Sequence, residues 1–181
     1  GAQTEVLGFA TPKLAVQEIL DLCSDSGIDP EIIAAEGSAL GNNVENWEAS
    51  DAPSFSRLIG ESEEALRQPL DANAILHMGH SRSILNVFYQ NRLVATRSFF
   101  WGGRDISEHI AKAFKVSFTD GMKVLQTKSF ILTNTQGATK DQVIFSQTIA
   151  KSLENLLRQV RLSLLNFKTD YGLNIQQIEI S

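Results

Sequence analysis

The chain has 181 residues, 43% of them apolar and 20% charged, with a net charge of −5. That balance suits a globular protein with a real core rather than a disordered chain, and the acidic sign with no Lys/Arg run argues against a phosphate-backbone partner such as nucleic acid. The single cysteine, Cys23, excludes an internal disulfide framework and a cysteine-based zinc site, and no apolar run reaches the ~20 residues a membrane span needs.

Taken in chain order, residues 5–10 read as a buried strand. Thr11 is placed to cap a helix with Pro12 in its first turn. Leu14, Ile19, Leu20 and Leu22 give that helix a core face, with Cys23 as a buried small hydrophobe, and Ser26-Gly27 ends it. Residues 32–35 read as a short strand and 38–44 as the start of a helix. Residues 46–70, with Pro53, Gly60 and the acids Glu61, Glu63 and Glu64, read as an irregular connection with a short helix near 61–67. A connection this long is unusual inside a compact domain and marks a candidate boundary. A leading Gly1 followed at once by a strand-like run suggests an excised fragment.

The pattern then sharpens. Residues 74–78 and 84–89 read as strands separated by Gly79, and residues 93–100 return after a turn at 90–92. In this third strand, simple alternation puts Val94, Thr96 and Ser98 on one face and Leu93, Ala95, Arg97 and Phe99 on the other. Gly102-Gly103 breaks it, and Asp105-x-x-Glu108 has the spacing of a capping box for a helix through Lys115. Ser117-x-x-Asp120 starts a second helix; residues 129–134 are a short strand or a closing loop. From about 139 to 170, Ile149, Leu153, Leu156, Val160, Leu164 and Phe167 recur at helical spacing, with Leu157 and Leu165 widening the stripe into a broad core face. Gly172 ends this long helix and 175–180 is a last strand. The order defines an α/β class with a mixed sheet and a long helix.

Candidate chemistry is sparse. His77 and His80 could contact a metal, but no third ligand is evident. Ser81 and Ser83 lie near the histidines, yet no Gly-x-Ser-x-Gly elbow is present. Gly79, Gly102 and Gly103 read as turn glycines first and as phosphate-loop glycines second. Phe99, Phe100 and Trp101 read as core, with any exposed member a docking patch.

Three segments carry a resemblance to the actin-like ATPase superfamily, ribonuclease H-like in fold, and within it to the PilM and FtsA proteins, with the secretion-platform GspL proteins as competitors. They are His77-Met78-Gly79-His80-Ser81-Arg82-Ser83, Thr96 through Gly103, and Ser107-Glu108-His109-Ile110-Ala111. Residues 6–22 resemble the end of the family's first domain, and residues 159–164 the helix before its adenosine loop. The resemblance implies that residues 1–45 end a first α/β domain, 46–71 connect, and 72–181 form a second actin-like domain cut before the adenosine loop. It also implies that Gly79, Ser81, Ser83, Gly102 and Gly103 are vestigial phosphate-side positions. Where the family has a carboxylate that organises Mg²⁺ waters, this chain has His77, which offers neither charge nor oxygen to a hard ion. Where the family has Ala-Glu and then Lys against the nucleoside, it has Gly121-Met122 and Leu125, with Lys123 out of register.

The expectation is therefore a non-catalytic scaffold with no cofactor and no metal of its own, ATP and Mg²⁺ being open only to a full-length parent. Such a scaffold would sit peripherally on the cytoplasmic face of a bacterial inner membrane, in a type IV pilus or type II secretion platform. Its partner would be a platform protein with a PilN-like cytoplasmic tail, or a secretion ATPase, and self-association stays open. The alternative is an ATP-binding relative with a variant phosphate hairpin.

Overall fold

The computed structural model describes residues 8–45 and 70–181. Among the described residues nine elements follow in order: α1 Lys13–Asp25, α2 Glu36–Glu45, β1 Leu70–Met78, β2 Ser83–Tyr89, β3 Arg92–Phe99, α3 Gly103–Phe114, α4 Phe118–Lys128, α5 Lys140–Tyr171 and β4 Leu173–Ile180. The strands form one sheet in the order β3-β2-β1-β4. β1–β2 and β2–β3 are antiparallel, whereas β4 returns parallel to β1, so the sheet is mixed as the sequence order implies.

One face of the sheet is covered by α5 and the β2–β3 part of the other by α2. Ala72, Ala74 and Leu76 of β1, Leu85 and Val87 of β2, and Ala95 and Phe99 of β3 share one cluster with Ile149, Leu156, Val160 and Phe167 of α5. Burial of the leucine, isoleucine, valine and phenylalanine side chains among them contributes roughly 1.5–3 kcal/mol each before the entropy cost. Short residues on the sheet and serines on the helix (Ser152 and Ser163, each 2% exposed) let α5 lie close to the strands. The hydroxyls of those serines are satisfied within the helix, on Ile149 O and Gln159 O. Thr139 caps α5, accepting from Gln142 N while Gln142 accepts from Thr139 N, and Gly172 ends it with φ 65°.

On the other face α2 crosses β2 and β3. Asn86 is fully buried there: its Nδ2 donates to Gly37 O at 2.9 Å and its Oδ1 accepts from Thr96 Oγ1 at 2.7 Å. A Cβ on Gly37 would come within 2.6 Å of Thr96 Oγ1, so the glycine is what lets α2 approach.

Several expectations need correction. β3 does not alternate throughout: the register shifts between Val87 and Phe88, so Phe88 faces Leu93 while Val87 faces Ala95. The skipped residue, Val94, packs against the α5-side core, and Leu93 points toward Gly41 of α2 instead. α1 forms, but it starts at Lys13 with Pro12 as an N-cap that makes no side-chain cap bond, and it buries no residue. Leu14 and Leu22 are 71% and 68% exposed, and Cys23 is only half-buried. Residues 32–35 form no strand, and Ile32 is exposed. Of the strand expected at 5–10, residues 8–10 are exposed coil and the rest lies outside the described residues, as do the connection over 46–69 and its short helix. Leu157 and Leu165 face solvent, so the buried stripe of α5 is narrower than expected. Residues 129–134 are a loop.

Candidate functional site at the glycine hairpin

The turn between β1 and β2 and the segment between β3 and α3 lie against each other. Gly79 N donates to Arg82 O at 3.0 Å and closes the turn. Gly103 N then donates to Gly79 O at 3.0 Å, and Arg104 N to His80 O at 2.8 Å. These are leading N–H groups of α3, which lack partners inside their own helix and would otherwise be open to an anion. Asp105 completes the cap from the third helical position: its carboxylate accepts from Gly102 N at 2.9 Å. Asp105 was expected as the cap residue itself with Glu108 as its partner; instead Glu108 takes the Arg104 Nε–H at 3.1 Å.

The glycines are required by proximity. A Cβ on Gly102 would sit 2.4 Å from His80 O and 2.6 Å from Gly79 O, and one on Gly79 would sit 2.7 Å from Arg82 O. Gly103 is different, since its Cβ would meet only ordinary contacts. None of the three has a positive φ; at Gly79 and Gly102 close backbone contact, not a left-handed turn conformation, is what excludes a side chain. The two serines separate as well. Ser83 is fully buried with its hydroxyl donated to Trp101 O at 2.9 Å, whereas Ser81 is exposed at the tip of the turn.

The aromatic run is split. Trp101 is 2% exposed and its indole N–H reaches Ser152 O at 3.0 Å, tying the hairpin to α5. Phe100 is 87% exposed and lies 5.9 Å beneath the Arg82 guanidinium, which also faces Glu36 of α2 at 3.9 Å across open solvent.

His77 is the last residue but one of β1, on the α2 side of the sheet. Its Nδ1 meets the Ser181 hydroxyl, and its Nε2 is buried with no hydrogen-bond partner. Burial holds its pKa below the usual 6.5, partly offset by the Glu36 carboxylate. The neutral ring is therefore the favoured form. His80 lies apart from it, in a cavity of about 390 Å³ lined with Arg104, Glu108 and Phe118. On α4, two of the positions that the resemblance set against a nucleoside, Gly121 and Leu125, are used in packing. Gly121 is buried where a Cβ would come within 2.6 Å of Ser107 O, and Leu125 packs against the core, while Lys123 is exposed. Asn86 and Gly37, which fix α2 to the sheet, gave no signal in the sequence beyond a polar residue inside an apolar strand.

A hairpin laid on a mixed sheet, a glycine pair opening α3 and a long helix returning to a parallel fourth strand make up an actin-like fold. Solved structures similar to the chain include the PilM-PilN type IV pilus biogenesis complex, at 16% identity and TM-score 0.61, covering 92% of this chain and 50% of that one. MreB5 of Spiroplasma citri bound to ADP is similar at 10% identity and TM-score 0.56, covering 93% of this chain and 54% of that one. The chain thus spans about half the length of these structures. No protein-family model and no curated protein matches it.

Proposed function

We propose that the chain is part of a non-catalytic actin-like scaffold that works by binding other proteins in a bacterial type IV pilus or type II secretion platform at the inner membrane. One observation carries the non-catalytic half: the N–H groups that open α3 are already held by the hairpin carbonyls of Gly79 and His80. A phosphate approaching there would have to displace protein hydrogen bonds. His77 adds to this, because a desolvated neutral imidazole cannot organise the water shell of Mg²⁺. In this reading Gly79, Ser81, Ser83, Gly102 and Gly103 are phosphate-side positions that now serve packing, Ser81 excepted.

The similarity to the PilM-PilN complex supports a platform partner with a short PilN-like cytoplasmic tail, or a secretion ATPase, on the cytoplasmic side of the membrane. Among the described residues no helix is long and apolar enough to cross a membrane, which fits peripheral attachment. Residues 1–45 are then the end of a first domain and 72–181 the second, with α2 resting on the second domain's sheet; of the connection expected at 46–71, Leu70 and Asp71 belong to β1. The exposed tip hydroxyl of Ser81 favours the second reading, an ATP-binding protein with a variant hairpin. Isothermal titration of Mg·ATP into the full-length protein separates the two. The scaffold reading expects no heat of binding; micromolar affinity abolished by Ser81→Ala overturns it.

A further inference from the structure

Where the C-terminus of α3, the loop after α4 and the first turns of α5 meet, apolar side chains gather on the surface. Phe145 is the hub, with its ring 5.8 Å from that of Phe114 and 5.2 Å from that of Phe130. Around it Phe114 and Phe130 are each 38% exposed, Val116 43%, and Ile131 and Ile144 50% each. The loop carrying Phe130 and Ile131 is pinned by a bond from Leu132 N to Ser146 Oγ at 2.8 Å, so these side chains are held at the surface by backbone order. Three rings in contact at the surface, with exposed apolar side chains beside them in the chain, mark a contact surface.

Its charge is opposite to that of the chain. Residues 112–141 contain five lysines and two acids, Asp120 and Asp141, a local net charge of +3 in a chain of −5. Lys115 lies between Phe114 and Val116, Lys128 is two residues before Phe130, and Lys140 is one helical turn before Ile144. Among the described residues none of the five lysines is in an ion pair, so their cations are uncommitted.

We infer that this aromatic patch with its lysine rim is a docking surface for an anionic phospholipid bilayer, the rings entering the interface and Lys115, Lys128 and Lys140 meeting headgroup phosphates. Apolar side chains with a cationic collar satisfy both halves of the headgroup–acyl boundary. The acidic remainder of the chain is repelled by the same surface, which leaves this patch as the one that can face it. The inference goes beyond the scaffold reading, since it gives the chain a lipid contact that needs no partner protein.

The test is sedimentation of the purified chain with vesicles of equal parts phosphatidylglycerol and phosphatidylcholine, against pure phosphatidylcholine, in low and high salt. Binding is expected with the anionic vesicles only, and it should fall away in high salt. A Lys115→Gln/Lys128→Gln/Lys140→Gln variant should lose on the order of a hundredfold in partition, about fivefold per lysine. Ile131→Ser, in an exposed loop, should weaken binding without changing the circular dichroism. Absence of anionic-vesicle binding, equal binding to neutral vesicles, or undiminished binding by the triple variant each overturns the inference. So does a patch that ignores vesicles but binds a Phe-containing polyglutamate peptide.

Discussion

Helices α1 and α5 present similar apolar periodicity in the sequence and opposite fates in the structure. α5 lays Ile149, Leu156, Val160 and Phe167 on the sheet, whereas α1 buries nothing and leaves Leu14 and Leu22 in the open. The difference teaches that periodicity identifies which face of a helix is apolar, and that a separate fact, the presence of a complementary sheet face, decides whether the face stabilises the fold. Around α5 that complement is built in detail, from short strand residues, buried serines and the Trp101–Ser152 hydrogen bond.

Substitutions along this contrast should rank accordingly. Trp101→Ala removes a buried ring and the bond that ties the hairpin to α5. It should cost about 3–5 kcal/mol in urea unfolding, a large part of a typical domain's stability. Gly102→Ala forces a Cβ against two backbone carbonyls that cannot swing aside. About 1–3 kcal/mol is expected, together with loss of amide-exchange protection at Gly103 and Arg104. Asn86→Ala strips Gly37 O and Thr96 of their partner, at about 1–3 kcal/mol, and should loosen α2 specifically.

A smaller effect is expected from pH. The His77 pKa is depressed by burial, so the unfolded chain binds the proton more readily below 6.5. Stability contributed by the neutral ring is present above the unfolded value and is lost as pH falls through the depressed folded value. Unfolding midpoints measured down from pH 7.5 should therefore decline more steeply for the native chain than for His77→Gln. Smallest of all, Leu22→Ser should change stability by no more than about 0.5 kcal/mol. A loss on the scale of Trp101→Ala would show that α1 is packed in solution and would erase the contrast.

Much of the fold was legible. The hairpin, the Ser117 cap, the Thr139–Gly172 helix and the closing strand are local signals, written in alternation, cap residues and helical spacing, and the structure contains each of them. Less visible were features set by tertiary contact. The bulge at Val94 depends on which neighbours its flanking residues meet, and Asn86 acquires meaning only when α2 brings Gly37 O to it. At the hairpin, the sequence located the glycines but misjudged their reason. Gly79 and Gly102 are small because two backbone segments touch, whereas Gly103 has room. Which serine is free and which is committed could not be read from Ser81 and Ser83 side by side; only strand direction and the Trp101 carbonyl decide it.

The proposed role is that of a protein-binding scaffold that uses no nucleotide. The most direct measurement is the affinity of the full-length protein for a PilN-like cytoplasmic tail, with and without saturating Mg·ATP. Binding of equal strength is expected in both conditions. Tail binding that appears, disappears or shifts tenfold with Mg·ATP would contradict it.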